Sequence, residues 1–203
     1  MNKELAYKVI EALNNFSKTV TSPDGDDLRP VAEQLGAKLR SGATRWAFVF
    51  EKHQTVIKFP KWDEVDDDYC ELELINYNHA KEYRVEKCLL PIELVGTTQS
   101  GIPIYVQPMY STSQDRLDYN IQKKWERKAD NLRRSPIIRK IKDGCLYSPP
   151  TLWVIRATQI YGKAFMKSFQ QWSKAYNVND LHSSNVGYLG KQPVIIDYAG
   201  YHG

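Results

Sequence analysis

An α+β fold is what this sequence predicts, and three observations carry the prediction. Short runs rich in β-branched and aromatic residues crowd the first half, at 47–50, 55–59, 92–96 and 102–106. Apolar residues at helical spacing dominate the second half, above all at 152–176. The 203 residues suffice for one substantial core or two small lobes, and no internal repeat or low-complexity tract appears.

Taken in order, Leu5, Val9, Ile10, Leu13 and Phe16 predict a first helix over 5–16. Ser22-Pro-Asp-Gly-Asp-Asp then reads as a turn, and 29–35 as a second short helix stopped by Gly36. Ala47-Phe-Val-Phe and Thr55-Val-Ile-Lys-Phe read as a hairpin around Glu51-Lys-His-Gln. The acidic stretch from Asp63 leads into a helix over 69–83, where aspartates at the start complement the helix dipole. A second strand pair brackets the Ser100-Gly101 turn. Beyond Pro108 the chain reads as mainly helical. Pro149-Pro150 introduces its longest helix, 152–176, with Val154, Ile155, Ile160, Phe165, Phe169 and Trp172 on one broad face. The last stretch holds short strands at 186–189 and 194–196 around Gly190-Lys-Gln.

Composition narrows the function classes. Hydrophobic residues at 42% and charged residues at 26% exclude a disordered tail, and a net charge of +4 is too small to indicate a nucleic-acid partner by itself. Cys70, Cys88 and Cys145 are scattered and odd in number, which points to reduced thiols and not to a disulfide framework or a zinc site. The N-terminus runs straight into an amphipathic pattern with no signal-peptide core. No apolar run approaches the roughly 20 residues that span a bilayer, so no membrane partner and a cytoplasmic location are expected.

The chemistry concentrates near the end, in Asn179-Asp-Leu-His-Ser-Ser-Asn-Val and Val194-Ile-Ile-Asp-Tyr-Ala-Gly. If the two late strands pair, Asn185 and Asp197 sit at adjoining strand ends, where an amide oxygen and a carboxylate can reach one hard cation. Asp180 lies upstream in the same loop. Asp180-Leu-His-Ser-Ser-Asn185 followed by Ile195-Ile-Asp197 resembles the catalytic loop and metal-binding aspartate of the protein-kinase-like superfamily. The form is nearest to the D-L-H-x-x-N of aminoglycoside and other small-molecule phosphotransferases and of compact microbial or phage kinases. The resemblance implies ATP and magnesium as cofactors, Asp180 as the base that accepts the proton of the attacking hydroxyl, and Asn185 and Asp197 as magnesium ligands.

The first half follows the same template. Leu39-Arg-Ser-Gly42 and the run after it resemble a shortened phosphate-covering loop and its second strand, with Gly42 the one glycine retained. Val56-Ile-Lys58-Phe is similar to the strand whose lysine contacts the α- and β-phosphates. Its partner is expected on the following helix: Glu73, with Tyr77 one turn on and Leu74 and Ile75 packed inward, or its competitor Glu71. Ile104-Tyr-Val-Gln-Pro-Met would be the hinge, with backbone groups near Gln107 and Met109 holding the adenine. The resemblance covers roughly 37–203 in the expected order of parts. It implies a two-lobed kinase-like fold: an N-terminal helical extension (1–36), a β-rich nucleotide-binding lobe (37–108) and a truncated, mostly helical lobe (109–203) carrying the catalytic loop.

Departures bear on the acceptor. Val178-Asn179 stands where H-R-D kinases have His-Arg, and Asp197-Tyr-Ala-Gly has alanine where D-F-G has glycine. The sequence ends at Gly203, so the activation segment and later helices are expected to be missing. The expected activity is a compact serine/threonine or tyrosine protein kinase. The alternatives are a small-molecule kinase and a nucleotide-binding pseudokinase that inhibits a partner. His182 is expected to brace the loop and not to transfer protons. The basic segment 123–142, from Lys123 to Lys142, is a solvated face or a docking surface for an anionic partner.

Overall fold

The computed structural model describes residues 1–17, 23–64, 68–112, 136, 149–190 and 192–200. The basic segment 123–142, apart from Pro136, and Cys145 lie outside the described residues. The chain divides into two compact units, Met1–Leu74 with Pro91–Met109, and Ile75–Leu90 with Tyr110–Gly203. The predicted α+β class is observed, with five helices, an antiparallel five-stranded sheet and a small three-stranded sheet among the described residues.

The first unit is built on strands β1 (Lys38–Ser41), β2 (Arg45–Phe50), β3 (Thr55–Pro60), β4 (Glu93–Thr97) and β5 (Pro103–Pro108). Their order is β1-β2-β3-β5-β4, and every pairing is antiparallel. Side-chain alternation divides the sheet into two faces. Trp46, Phe48 and Phe50 of β2 share a face with Ile57 and Phe59 of β3 and with Ile104 and Val106 of β5. Helix α1 (Lys3–Phe16) lays Leu5, Ala6, Val9 and Leu13 on that face, and α2 (Gly25–Gln34) adds Leu28 and Ala32. Phe48 and Phe59 meet edge to face at 5.2 Å between ring centres. The apolar stripes of the helices within 1–36 and the sheet face thus bury one another.

Helix α2 begins inside the segment predicted to be a turn. Asp24 accepts hydrogen bonds from the Asp26 and Asp27 backbone N–H groups, and the Asp27 carboxylate in turn accepts the Asp24 N–H. This reciprocal cap outweighs the turn preference of Pro23 and Gly25. Gly36 ends the region at φ +74°, a left-handed conformation that glycine adopts without strain.

Helix α3 (Tyr69–Glu82) spans the division between units. Asp68 caps it by accepting the Cys70 N–H at 2.8 Å. Its buried positions are Cys70, Glu73, Asn76 and Ala80, whereas Ile75, expected to pack inward, is exposed.

In the second unit, the predicted single helix over 152–176 is two: α4 (Thr151–Tyr161) and α5 (Lys163–Ala175). Gly162 separates them at φ +87° and ψ 164°, a conformation no helix continues through. The break turns Ile160 out to solvent, while Val154, Ile155, Phe169 and Trp172 are buried with Trp153. A further short strand, β6 (Ser111–Thr112), lies in the region expected to be helical. It pairs with β7 (Val186–Leu189), which forms the expected hairpin with β8 (Gln192–Ile195). The Trp153 indole N–H lies 3.2 Å from both the Gly187 and Val194 carbonyls and ties α4 to the hairpin. Cys70 in the first unit and Cys88 in the second are buried free thiols, and burial raises the pKa of each well above the ordinary thiol value. No helix among the described residues is long and apolar enough to cross a membrane.

Candidate functional site

Register decides which polar side chains meet in the first unit. Lys58 faces Ala47 across β2 and β3, and Arg45 lies two residues before Ala47, so Arg45 and Lys58 are diagonal neighbours on one face. On the other side Lys58 faces Tyr105, which puts Gln107 on the same face again. This is the face opposite the α1–α2 core.

These three side chains converge on Glu73 of α3. Lys58 Nζ lies 3.1 Å from Oε2 and 3.3 Å from Oε1. Arg45 Nη1 donates to Oε1 at 2.6 Å, and Gln107 Nε2 donates to Oε2 at 3.2 Å. Glu73 is fully buried, and the Lys58 and Arg45 side chains are 10% and 15% exposed. A carboxylate so placed is tolerable only because charged donors surround it. Of the two candidate glutamates, Glu73 is thus the one paired with Lys58, and Glu71 is exposed. Beside the cluster, Tyr105 O–H donates to Asp68 Oδ2 at 2.5 Å. Burial, and then that bond, raise the Tyr105 pKa far above the usual phenol value.

Gly42 closes the β1–β2 hairpin, its N–H donating to the Arg45 carbonyl at 2.9 Å across Ala43 and Thr44. Its φ is not positive, and a Cβ there would meet only the Arg45 carbonyl at 3.7 Å, so the turn does not require glycine. The Met109 N–H, expected at a hinge, already donates to the Gln54 carbonyl at 2.8 Å. A contact from that amide to adenine therefore requires this bond to be exchanged.

In the second unit, the loop before β7 and the segment after β8 are joined through Asn185. Its side-chain amide donates to the Asp180 carbonyl at 2.9 Å, and its own carbonyl accepts the Ile196 N–H at 2.8 Å and the Asp197 N–H at 3.4 Å. Asp180, Asn185 and Asp197 are therefore held in one hydrogen-bonded knot. Because the Asn185 nitrogen is spent on a carbonyl, its Oδ1 is the end that can meet a cation. His182 braces the loop by accepting the Ser184 N–H at Nδ1, 3.1 Å. Its Nε2 lies 3.5 Å from Asp180 Oδ1, within ion-pair distance when the imidazole is protonated.

No family model, curated protein or solved structure matches the chain.

Four buried side-chain atoms among the described residues lack a hydrogen-bond partner: Trp46 Nε1, Glu86 Oε2, Gln107 Oε1 and Asp180 Oδ1. Two of the four belong to residues that the sequence points to, one in each unit. Both atoms are buried, Gln107 being fully so, and the Asp180 oxygen has the His182 ring nitrogen 3.5 Å away. No group of three or more His, Cys, Asp or Glu side chains able to hold a metal occurs among the described residues. Asn185 and Asp197 carry one side-chain amide oxygen and one carboxylate, too few donors for an all-protein metal cage. Sequence reasoning misses Arg45. An arginine alternating with Trp46 and Ala47 in a strand reads as a solvent-facing charge, and only the register reveals its inward direction.

Proposed function

We propose that this chain is an ATP- and magnesium-dependent phosphotransferase with a kinase-like architecture. The observation that carries the reading is the buried Lys58–Glu73 pair, set between the third strand and the following helix of a sheet ordered β1-β2-β3-β5-β4. Phosphoryl transfer asks a protein mainly for positioning and charge neutralisation. A lysine kept close by a buried glutamate supplies a cation for phosphate oxygens. Asn185 and Asp197 are the oxygen donors for magnesium, which when bound neutralises phosphate charge. Asp180, which the resemblance places at the catalytic base and whose Oδ1 is buried 3.5 Å from His182 Nε2, is the group to accept a hydroxyl proton from the acceptor.

The acceptor we favour is a protein hydroxyl, with a small-molecule hydroxyl as the rival carried by the D-L-H-x-x-N form of the loop. Labelled ATP and magnesium, incubated with the chain and cell extract, are expected to label a polypeptide. Asp180→Asn is expected to lower transfer by about 10²–10⁴-fold, the usual range for losing a general base, while nucleotide binding persists. Equal transfer by the variant removes Asp180 from the mechanism, and label in a metabolite alone moves the acceptor to small molecules.

One observation favours a second reading, a nucleotide-binding partner protein without turnover. The β1–β2 hairpin is closed by only two residues between Gly42 and Arg45, a short cover for phosphates. Stabilisation by Mg-ATP in a thermal melt, with no transfer to any acceptor, selects that reading.

A further inference from the structure

We infer that Arg45 is the residue that seats Glu73, and that it does so in order to leave the Lys58 ammonium exchangeable toward an anionic ligand. The inference rests on the phosphotransferase reading only for the identity of that anion, a nucleotide phosphate.

The distribution of bonds on the carboxylate carries the argument. Of the two cations on Glu73, Arg45 makes the shorter contact, at 2.6 Å against 3.1 and 3.3 Å from Lys58. Charge-assisted bonds strengthen as they shorten toward this range, and a planar guanidinium holds its direction better than an ammonium on a flexible stem. Lys58 straddles both oxygens at nearly equal, longer distances, the geometry of a cation held by charge more than by direction. Gln107 Nε2 supports Oε2 from the neighbouring strand, and this amide orientation is required because a carboxylate only accepts. When an anion draws the ammonium away, Glu73 keeps Arg45 and Gln107 and does not become an unpaired buried charge. With a lysine alone, every gain to the anion would be opposed by stranding the carboxylate.

Arg45 thus acts through Glu73 and Lys58 and is a positioning residue. Removing it is expected to shorten and strengthen the contacts that Lys58 already makes to Glu73. The ammonium then becomes harder to recruit, and phosphate affinity falls although Lys58 itself is intact.

The experiment measures thermal melting and Mg-ATP binding for the whole chain carrying Arg45→Met, Lys58→Met, both together, and Arg45→Lys. Lys58→Met is expected to melt closer to wild type than Arg45→Met. The double variant is expected to lose more than the sum of the two, because Glu73 then loses both of these cations at once. At temperatures where it is folded, Arg45→Met is expected to bind Mg-ATP about tenfold more weakly, a typical size for a coupled charged neighbour. Arg45→Lys is expected to recover part of that loss, which a purely structural role would not give. A larger melting loss from Lys58→Met than from Arg45→Met, or wild-type Mg-ATP affinity in folded Arg45→Met, overturns the inference. If the wild type itself does not bind Mg-ATP while the melting order holds, the phosphotransferase reading fails and Arg45 stands as the seat of Glu73.

Discussion

Tyr105 and Asp68 illustrate how single side chains set the chemistry around Glu73. The phenol is buried, and its proton is held against the Asp68 carboxylate, so the folded chain keeps that proton far longer than the unfolded one. A folded-state pKa raised above the unfolded value stabilises the fold fully below pH of about 10, the ordinary tyrosine value. That contribution is lost as pH climbs from there toward the higher folded value, at about 1.4 kcal/mol per pH unit for each such group. Urea unfolding of Tyr105→Phe between pH 9 and 11 is expected to show a shallower decline than wild type, since phenylalanine has no proton to lose. An identical slope would mean that the phenol is not held in this way. At the same scale, the Lys58–Glu73 pairing is legible in the sequence only through the kinase-like resemblance, and that leaves Glu71 open beside Glu73 until the structure buries one and exposes the other. Arg45 is not legible there, because nothing local distinguishes an arginine aimed at a buried carboxylate from one aimed at solvent.

At the scale of elements, periodicity finds the helices and strands but not their interruptions. The apolar pattern over 152–176 runs through Gly162 without a gap, and one glycine inside a helical pattern is normally tolerated at a cost of about 1 kcal/mol. Here Gly162 adopts φ +87° and ψ 164°, which side chains with a Cβ avoid. Gly162→Ala is expected to destabilise the chain by about 1–3 kcal/mol, although a Cβ there meets nothing within 4 Å. A melting temperature equal to wild type would contradict two separate helices. Helix α2 shows the opposite error. Proline and glycine read as breakers, yet the aspartates among them form a capping box, and side-chain bonds to free N–H groups prevail. The β7–β8 hairpin is readable because its two strands are close in sequence and joined by a marked turn. The strand order of the larger sheet is not, since β3 and β5 pair across the whole of α3 and β4, and no local signal encodes a distant partner.

For the whole molecule, the division of labour in the first unit is the main lesson. One face of its sheet is apolar and covered by α1 and α2; the other carries Arg45, Lys58, Tyr105 and Gln107. The amphipathic pattern of residues 5–16 announces a helix with one buried side but cannot say what buries it. Removing residues 1–36 is therefore expected to expose Phe48, Ile57, Phe59 and Ile104 together, far more apolar surface than a folded domain tolerates. The truncated chain is expected to aggregate or to bind a hydrophobic dye strongly. A soluble, cooperatively melting 37–203 fragment would restore these helices to the status of an appendage.

The placement of Cys70 and Cys88, one inside each compact unit, equips the protein with two internal clocks. A sealed, protonated thiol cannot attack a disulfide reagent until its surroundings part, so the pace at which each sulfur is modified counts the excursions of its own neighbourhood. Once Cys145 is exchanged for serine, resolving the two modified peptides by mass would tell whether the five-stranded unit or the β7–β8 unit breathes first.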